Sequence, residues 1–308
     1  MVINNFGGIE AFKLEKMPIP EPGEGEVLVE IFAIGINPID IKTRRGEGVA
    51  RLWENPAFPI ILGWDISGVV VKSNSPKFTV GDEVFGMPNF PELANGYSEF
   101  IAVPAKDLSP KPNQISHQAA AAAPLAGLTA WQGLFDFAKL QTGQKVLIHA
   151  GAGGVGHLAI QLSKWKGAHV ISTASTGNLE FLGNLGADSS IDYTQTKFWE
   201  LARDIDIVFH MIEPEYFQKS CHTMKPGGYI ISITGAVAAK DLAPHNVRGS
   251  FLSVRPNSEQ LSNIAELLVS GQILTHIDAS YSLGEISKAH DHVESGHTRG
   301  KVILDLGL

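Results

Sequence analysis

The chain has 308 residues, 44% hydrophobic and 18% charged, and a formal net charge of −8. That length allows two domains with separate cores, and the composition is that of an ordinary soluble globular protein. The acidic balance argues against a nucleic-acid surface, whose phosphates need clustered Lys and Arg, and the run Lys42-Thr43-Arg44-Arg45 is too short to change this. A single cysteine, Cys221, excludes an internal disulfide or a Cys-based metal cluster and fits a reducing, cytoplasmic setting. The first residues lack a signal-peptide pattern, and no apolar run reaches the roughly 18–20 residues of a membrane span, so no membrane partner is expected.

Residues 1 to about 115 read as β-rich. The turn signal Pro18-Ile19-Pro20-Glu21-Pro22-Gly23 precedes an apolar strand over 26–33. In Gly35-Ile36-Asn37-Pro38-Ile39-Asp40, Pro38 biases Asn37 toward an extended or turn geometry. Residues 60–71 read as strand, glycine bend and strand, followed by strand units near 78–86 and 96–103. Short strands at this spacing suggest a barrel-like or sandwich-like domain. At His117 the pattern changes to an alanine-rich helical stretch that continues through Leu134 and Phe137.

Lys145 to Ala168 carries the most specific local signal. An apolar strand breaks into Gly151-Ala152-Gly153-Gly154-Val155-Gly156 and resumes with helical spacing, the order in which a glycine turn binds a dinucleotide. Gly151 would permit the turn, Gly153 the approach of a pyrophosphate, and Gly156 the close packing of helix on strand. The helix start then offers unpaired N–H groups, including those of Gly154 and Val155. Beyond it, strands at 169–174, 190–193, 206–211 and 228–233 alternate with helices, which predicts a parallel, doubly wound sheet. A helix over 260–270 and a final helix and strand within 283–308 complete the chain.

Taken together, Gly35–Asp40, Gly63-Trp64-Asp65-Ile66-Ser67-Gly68, Gly81-Asp82-Glu83-Val84, Gly127-Leu128-Thr129-Ala130-Trp131, the glycine turn and Gly300-Lys301-Val302-Ile303-Leu304 resemble the medium-chain dehydrogenase/reductase superfamily. The resemblance spans nearly the whole chain and is to the zinc-independent quinone oxidoreductase branch. It implies an α/β protein with a GroES-like β-rich domain (1–117 with 281–308) beside a Rossmann, doubly wound parallel-sheet domain (118–280). The active site would be the cleft between them, and the assembly a homodimer through the Rossmann sheet edge. In the alcohol dehydrogenase branch a Cys stands in place of Asn37 and a His-Glu pair in place of Trp64-Asp65. A catalytic zinc needs about three protein ligands, and Asp40 with Asp65 makes a poor site, so no metal is expected.

Without a metal to bind an alkoxide, the expected chemistry is hydride transfer to a quinone or an α,β-unsaturated carbonyl, a small-molecule substrate. Narrower alternatives are a reductase of one specific metabolic enone and an NADPH-binding protein without turnover. The resemblance places the Asn37–Lys42 loop by the nicotinamide. Asn37 would donate its amide to substrate or ribose, or simply be a turn residue. Asp40 would orient Lys42 or the loop, and Lys42 would stabilise an enolate oxygen or stand solvated beside Arg44 and Arg45. Trp64 would line the substrate site or merely pack, and Phe251 would lie beside the nicotinamide. Thr129 would approach the nicotinamide or bond back to its own helix turn. Thr234-Gly235 would meet the carboxamide. After the second strand, Ser172 to Asn178 holds no acid to bind a ribose 2′-OH, which points to NADPH, with Ser175, Asn178 and Tyr193 supplying neutral hydrogen bonds in place of a Lys or Arg.

Overall fold

The computed structural model describes residues 1–307 and divides them into two compact units. Unit 1 comprises residues 1–128 and 255–271 with the C-terminal stretch from 275, and unit 2 comprises 129–254 and 272–274. The first division falls inside the helix Pro124–Trp131, whereas the sequence reading set its boundary where the preceding helix, His117–Ala121, begins. The helix Ser258–Val269 groups with unit 1, where Ser262 and Ser109 share a hydroxyl hydrogen bond of 2.8 Å.

Seven strands open unit 1: β1 (Val2–Ile3), β2 (Phe12–Lys13), β3 (Glu26–Ile36), β4 (Asp65–Ser73), β5 (Glu83–Gly86), β6 (Phe100–Pro104) and β7 (Leu108–Pro110). Unit 2 contributes β8 (Lys145–Ile148), β9 (His169–Ala174), β10 (Ser189–Asp192), β11 (Ile205–His210), β12 (Met224–Ser232) and β13 (Arg248–Phe251). The chain then returns to unit 1 with β14 (Ile277–Tyr281) and β15 (Lys301–Asp305).

In unit 1, β3 is the hub of a seven-stranded sheet and pairs antiparallel with β4, β6 and β15. Its sequence, EVLVEIFAIGI, is almost continuously apolar because neighbours cover it on both faces. The pairing of β15 with β3 sets Val302 opposite Ile36, and so delivers Lys301 to the end of β3 where Asn37 follows. Gly300 makes this delivery possible. Its φ is +71°, and a Cβ there would lie 2.2 Å from the His276 carbonyl oxygen.

In unit 2 the strands run parallel in the order β10-β9-β8-β11-β12-β13, reversing direction of growth after β8. This is the doubly wound sheet expected, and ligands bind at the carboxyl ends of such strands near the switch. Leu147, Val208, Ile230, Ile205 and Phe198 form its core, with Cys221 buried among them. Burial pushes the Cys221 thiol up to about 12, so it is inert. The α/β class of a GroES-like β-rich region with a parallel Rossmann sheet is what the structure contains. Among the strands that had no reading in the sequence are β13 (RGSF) and β14 (IDASY). Both are polar and partly exposed, and neighbouring strands rather than an apolar run define them.

Candidate active site

The Asn37 region is a buried polar cluster inside unit 1. Asn37 has extended backbone and caps the short helix Pro38–Arg44, as the proline after it requires. The Asp40 carboxylate reaches back to accept the Asn37 backbone N–H at 2.7 Å, completing a capping box. The Asn37 side chain donates to Asp65 Oδ2 at 2.9 Å and to the Gly35 carbonyl at 3.4 Å. Its Oδ1 accepts from the Lys301 ammonium. Asp65 Oδ1 accepts the backbone N–H of Leu125 at 2.9 Å. Asn37, Asp40, Asp65 and Lys301 are all buried, so both ends of the Asn37 amide are engaged within the protein.

Two buried carboxylates cannot both be fully stabilised by one ammonium. Burial pushes Asp40 up to about 7, and the Asp65 charge adds to this, against the Asn37 N–H, Lys301 and the neighbouring Tyr97 hydroxyl. Asp40 Oδ1 has no hydrogen-bond partner. Burial also raises Asp65, opposed first by Lys301 and then by Asn37 and the Leu125 N–H.

Behind Asp40 runs a second chain of contacts that the sequence did not disclose. Arg44 stands next to the exposed Arg45 in the sequence, yet it is fully buried. Its guanidinium donates to the Gly7 carbonyl at 3.2 Å, to His290 Nδ1 at 3.1 Å and to Glu294. Arginine only donates, so His290 Nδ1 accepts and Nε2 carries the hydrogen, which it gives to the Tyr97 hydroxyl at 2.9 Å. Burial and the Arg44 charge push His290 down to about 3, keeping it neutral. No sequence spacing links Arg44, Tyr97 and His290, since the fold alone brings residues 246 positions apart into contact.

Lys42 projects from the same helix and is exposed. Trp64 is fully buried, packs edge-on against Phe90 at 5.3 Å, and donates its indole N–H to the Glu92 carbonyl at 2.7 Å. Trp64 thus packs inside unit 1 against Phe90, with its indole N–H already engaged.

In unit 2 the glycine turn lies at the carboxyl end of β8 and leads into the helix Gly154–Trp165, with Gly153 as its N-cap. The left-handed residue of the turn is Ala150, at φ +47°, so the chain reversal that Gly151 was expected to permit falls one residue earlier. Gly151 is instead required by packing, for a Cβ there would sit 2.0 Å from Ser172 Oγ. At Gly156 a Cβ would come within 2.3 Å of the Ala150 carbonyl oxygen, as the helix-on-turn packing predicts. At Gly153 a Cβ would meet only Ala150 O, at 3.4 Å. Nothing in the protein demands a bare backbone there, which leaves the turn open to a group approaching from outside. The helix start leaves its first N–H groups, at Gly154, Val155 and Gly156, without intrahelical acceptors. These features fit the pyrophosphate of a dinucleotide.

Beyond β9, Ser175 caps a turn over Thr176–Asn178, and the Asn178 amide donates to Ser175 Oγ at 3.2 Å. The Tyr193 N–H bonds to the Ala174 carbonyl at 3.1 Å, which brings the exposed Tyr193 to the end of the same two strands. Thr234 donates to the Ile212 carbonyl at 2.8 Å, and Gly235 is held by Ser232. Thr129 is buried in its helix, and Phe251 is exposed on the edge strand β13. Ser175, Asn178, Tyr193, Thr234 and Gly235 thus gather with the glycine turn at the carboxyl ends of the parallel strands.

A zinc ion does not fit the unit 1 cluster. Its donors are one amide and two carboxylates, and the Lys301 ammonium stands 3.3 Å from Asp65 Oδ2, where it would repel a dication. Among the described residues no group of three or more His, Cys, Asp or Glu is placed to hold a metal.

Two family models match the chain, an alcohol dehydrogenase GroES-like domain over residues 23–113 and a zinc-binding dehydrogenase domain over 185–304. The 2-methylene-furan-3-one reductase of Solanum lycopersicum is 35% identical over 97% of this chain and 77% of its own. The quinone oxidoreductase of Coxiella burnetii superposes with a TM-score of 0.94 at 35% identity, covering 99% of this chain and 98% of that one. The Escherichia coli quinone oxidoreductase complexed with NADPH gives 0.89 at 26% identity, with coverage of 99% and 98%. The chain belongs to the medium-chain dehydrogenase/reductase superfamily, in its quinone oxidoreductase branch.

Proposed function

We propose that this protein is a zinc-independent, NADPH-dependent reductase of quinones or α,β-unsaturated carbonyls. The glycine turn carries the reading: Gly151–Gly156 at the switch of a parallel sheet, in a chain whose full-length relatives are named quinone and enone reductases. A dinucleotide held there would supply the hydride that reduces the electron-poor carbon of the acceptor. Gly153, Gly154, Val155 and Gly156 would hold its pyrophosphate, and Ser175, Asn178 and Tyr193 its adenosine end. Thr129, Thr234 and Gly235 would orient the nicotinamide. Lys42, exposed and cationic, would stabilise the oxyanion that develops on the acceptor, a role needing only a well-placed donor. Solvent can then protonate the enolate, or the anion left on a reduced quinone.

The Asn37 amide is already satisfied by Asp65, Gly35 and Lys301, which favours holding the loop over touching substrate. Asp40 orients that loop through the capping box. Trp64 supports the loop from behind, and Phe251 offers an apolar ring near the sheet edge. The unpaired edge of β13 supports a homodimer, and the lone buried thiol of Cys221 a cytoplasmic setting. No helix among the described residues is long and apolar enough to cross a membrane.

The test follows loss of the reduced-nicotinamide absorbance with a panel of quinones and enones. Turnover with several acceptors, unaffected by a strong chelator, is expected. Tight NADPH binding without oxidation across the panel would leave only a binding protein. NADPH should also protect against heat at lower concentration than NADH, and the reverse order would overturn the cofactor assignment.

A further inference from the structure

Lys301 is a buried cation far in sequence from the residues it touches. It is 3% exposed and lies at the start of β15. Its three protons are all used: Nζ donates to the Ile36 carbonyl at 2.9 Å, to Asn37 Oδ1 and to Asp65 Oδ2 at 3.3 Å. Each acceptor belongs to a different step of the same construction. Ile36 ends β3, Asn37 starts the helix that carries Lys42, and Asp65 opens β4. Because Lys301 takes the Asn37 carbonyl, the amide nitrogen is left to face Asp65, and the side chain has one orientation available.

We propose, resting on the reductase reading above, that Lys301 is a positioning residue of the reduction site: its ammonium is a fixed internal cation that neutralises Asp65, locks Asn37, and thereby sets the start of the helix bearing Lys42. The arrangement also accounts for a lysine at a position that otherwise requires an apolar residue, since Val302, Ile303 and Leu304 beside it are wholly buried. A buried ammonium persists only when it is paired and hydrogen-bonded, and here both conditions hold.

Lys301→Met keeps the stem and removes the charge. Misplacement of a positioning group costs on the order of 100-fold. A fall in kcat of about that size is expected, with the NADPH dissociation constant, read by fluorescence, within about twofold of wild type because the glycine turn lies in unit 2. In Lys301→Ala, an added alkylammonium ion should restore part of the rate saturably, and a neutral alcohol of the same size should not. A readout without turnover accompanies these. Once Lys301 is gone, the buried Asp65 is pushed further up and takes a proton at higher pH, so the loss of melting temperature against wild type should shrink from pH 8 to pH 5.

Where Lys301→Met fails to fold, Lys301→Met with Asp65→Asn removes both charges, and its kcat should remain low. Wild-type kcat in either folded variant, or a melting-temperature gap that does not change with pH, would overturn the inference. Absence of NADPH oxidation by the wild type would instead sink the reductase reading, and the pH dependence of the melting gap would still decide the clamp.

Discussion

Each unit buries a polar cluster, and the two are built on different principles. In unit 1 the cluster is ionic: Arg44 with Glu294, and Lys301 with Asp65, threaded by Asn37, Tyr97 and His290. In unit 2 it is neutral. His149 Nε2 and His210 Nδ1 both lie 3.0 Å from Ser220 Oγ, and His149 Nδ1 lies 3.3 Å from Thr173 Oγ1. Burial pushes His149 down to about 3, helped by His210, and pushes His210 down to about 4. The difference teaches where charge is tolerated in this chain. The ionic cluster orients loops that join strands of an antiparallel sheet. The neutral one ties the ends of β8, β9 and β11 to a helix, just below the glycine turn, without placing a fixed charge there.

The largest effect should come from breaking the ionic cluster. Arg44→Met leaves Glu294 with only the exposed Arg45 as its ion-pair partner and His290 without its donor, and should cost about 3 kcal/mol. Urea unfolding would check this, and a loss under about 1 kcal/mol would mean the pair is effectively solvated.

Acid should break the neutral cluster next. A histidine whose folded pKa lies below its unfolded value of 6.5 keeps its full stabilisation above that pH and loses it as pH falls toward the folded value. Both histidines of unit 2 should therefore lose stability as pH falls from 6.5 toward about 4. In unit 1 the signs oppose. His290 behaves in the same way, but Asp40, raised to about 7, gains stability as pH falls through that value. Hydrogen exchange at pH 7 and pH 5 should therefore show protection lost first in unit 2. Equal loss in both units would break the comparison.

Gly156→Ala probes the turn above the neutral cluster. Its Cβ would lie 2.3 Å from a backbone oxygen that cannot move without the turn, so overpacking of about 1–3 kcal/mol is expected. Titration should show NADPH binding weakened at least tenfold, on the order of 1.4 kcal/mol. The smallest effect is the control, Gly183→Ala. That glycine lies in the helix Leu179–Asn184 with open space about it, and the change should stabilise by up to roughly 1 kcal/mol in a thermal melt.

Much of unit 2 was legible because its information is local. The run from Lys145 to Gly156 spells strand, turn and helix within a dozen neighbours, and β9 was read at its observed bounds, His169–Ala174. The left-handed residue at Ala150 was not legible, since alanine carries no signal for positive φ. Unit 1 was legible in outline and opaque in its interior. The resemblance singled out Asn37, Asp40 and Lys42, but Tyr97 and His290 carried no motif, and Arg44 read as one more solvated charge. Lys301 stood in the closing motif Gly300–Leu304 of the resemblance and in the last strand, with no site role.

By itself the sequence determined the α/β class, the glycine turn and the family, because periodicity, turn chemistry and ordered motifs are properties of residues near one another along the chain. Only the tertiary structure decided that Arg44 is buried, that Asn37 is locked on both sides, and that Lys301 is the cation holding it. Those facts depend on pairing β15 against β3 across more than 260 residues, and on burial, which turns an ordinary lysine and aspartate into partners that cannot be separated cheaply.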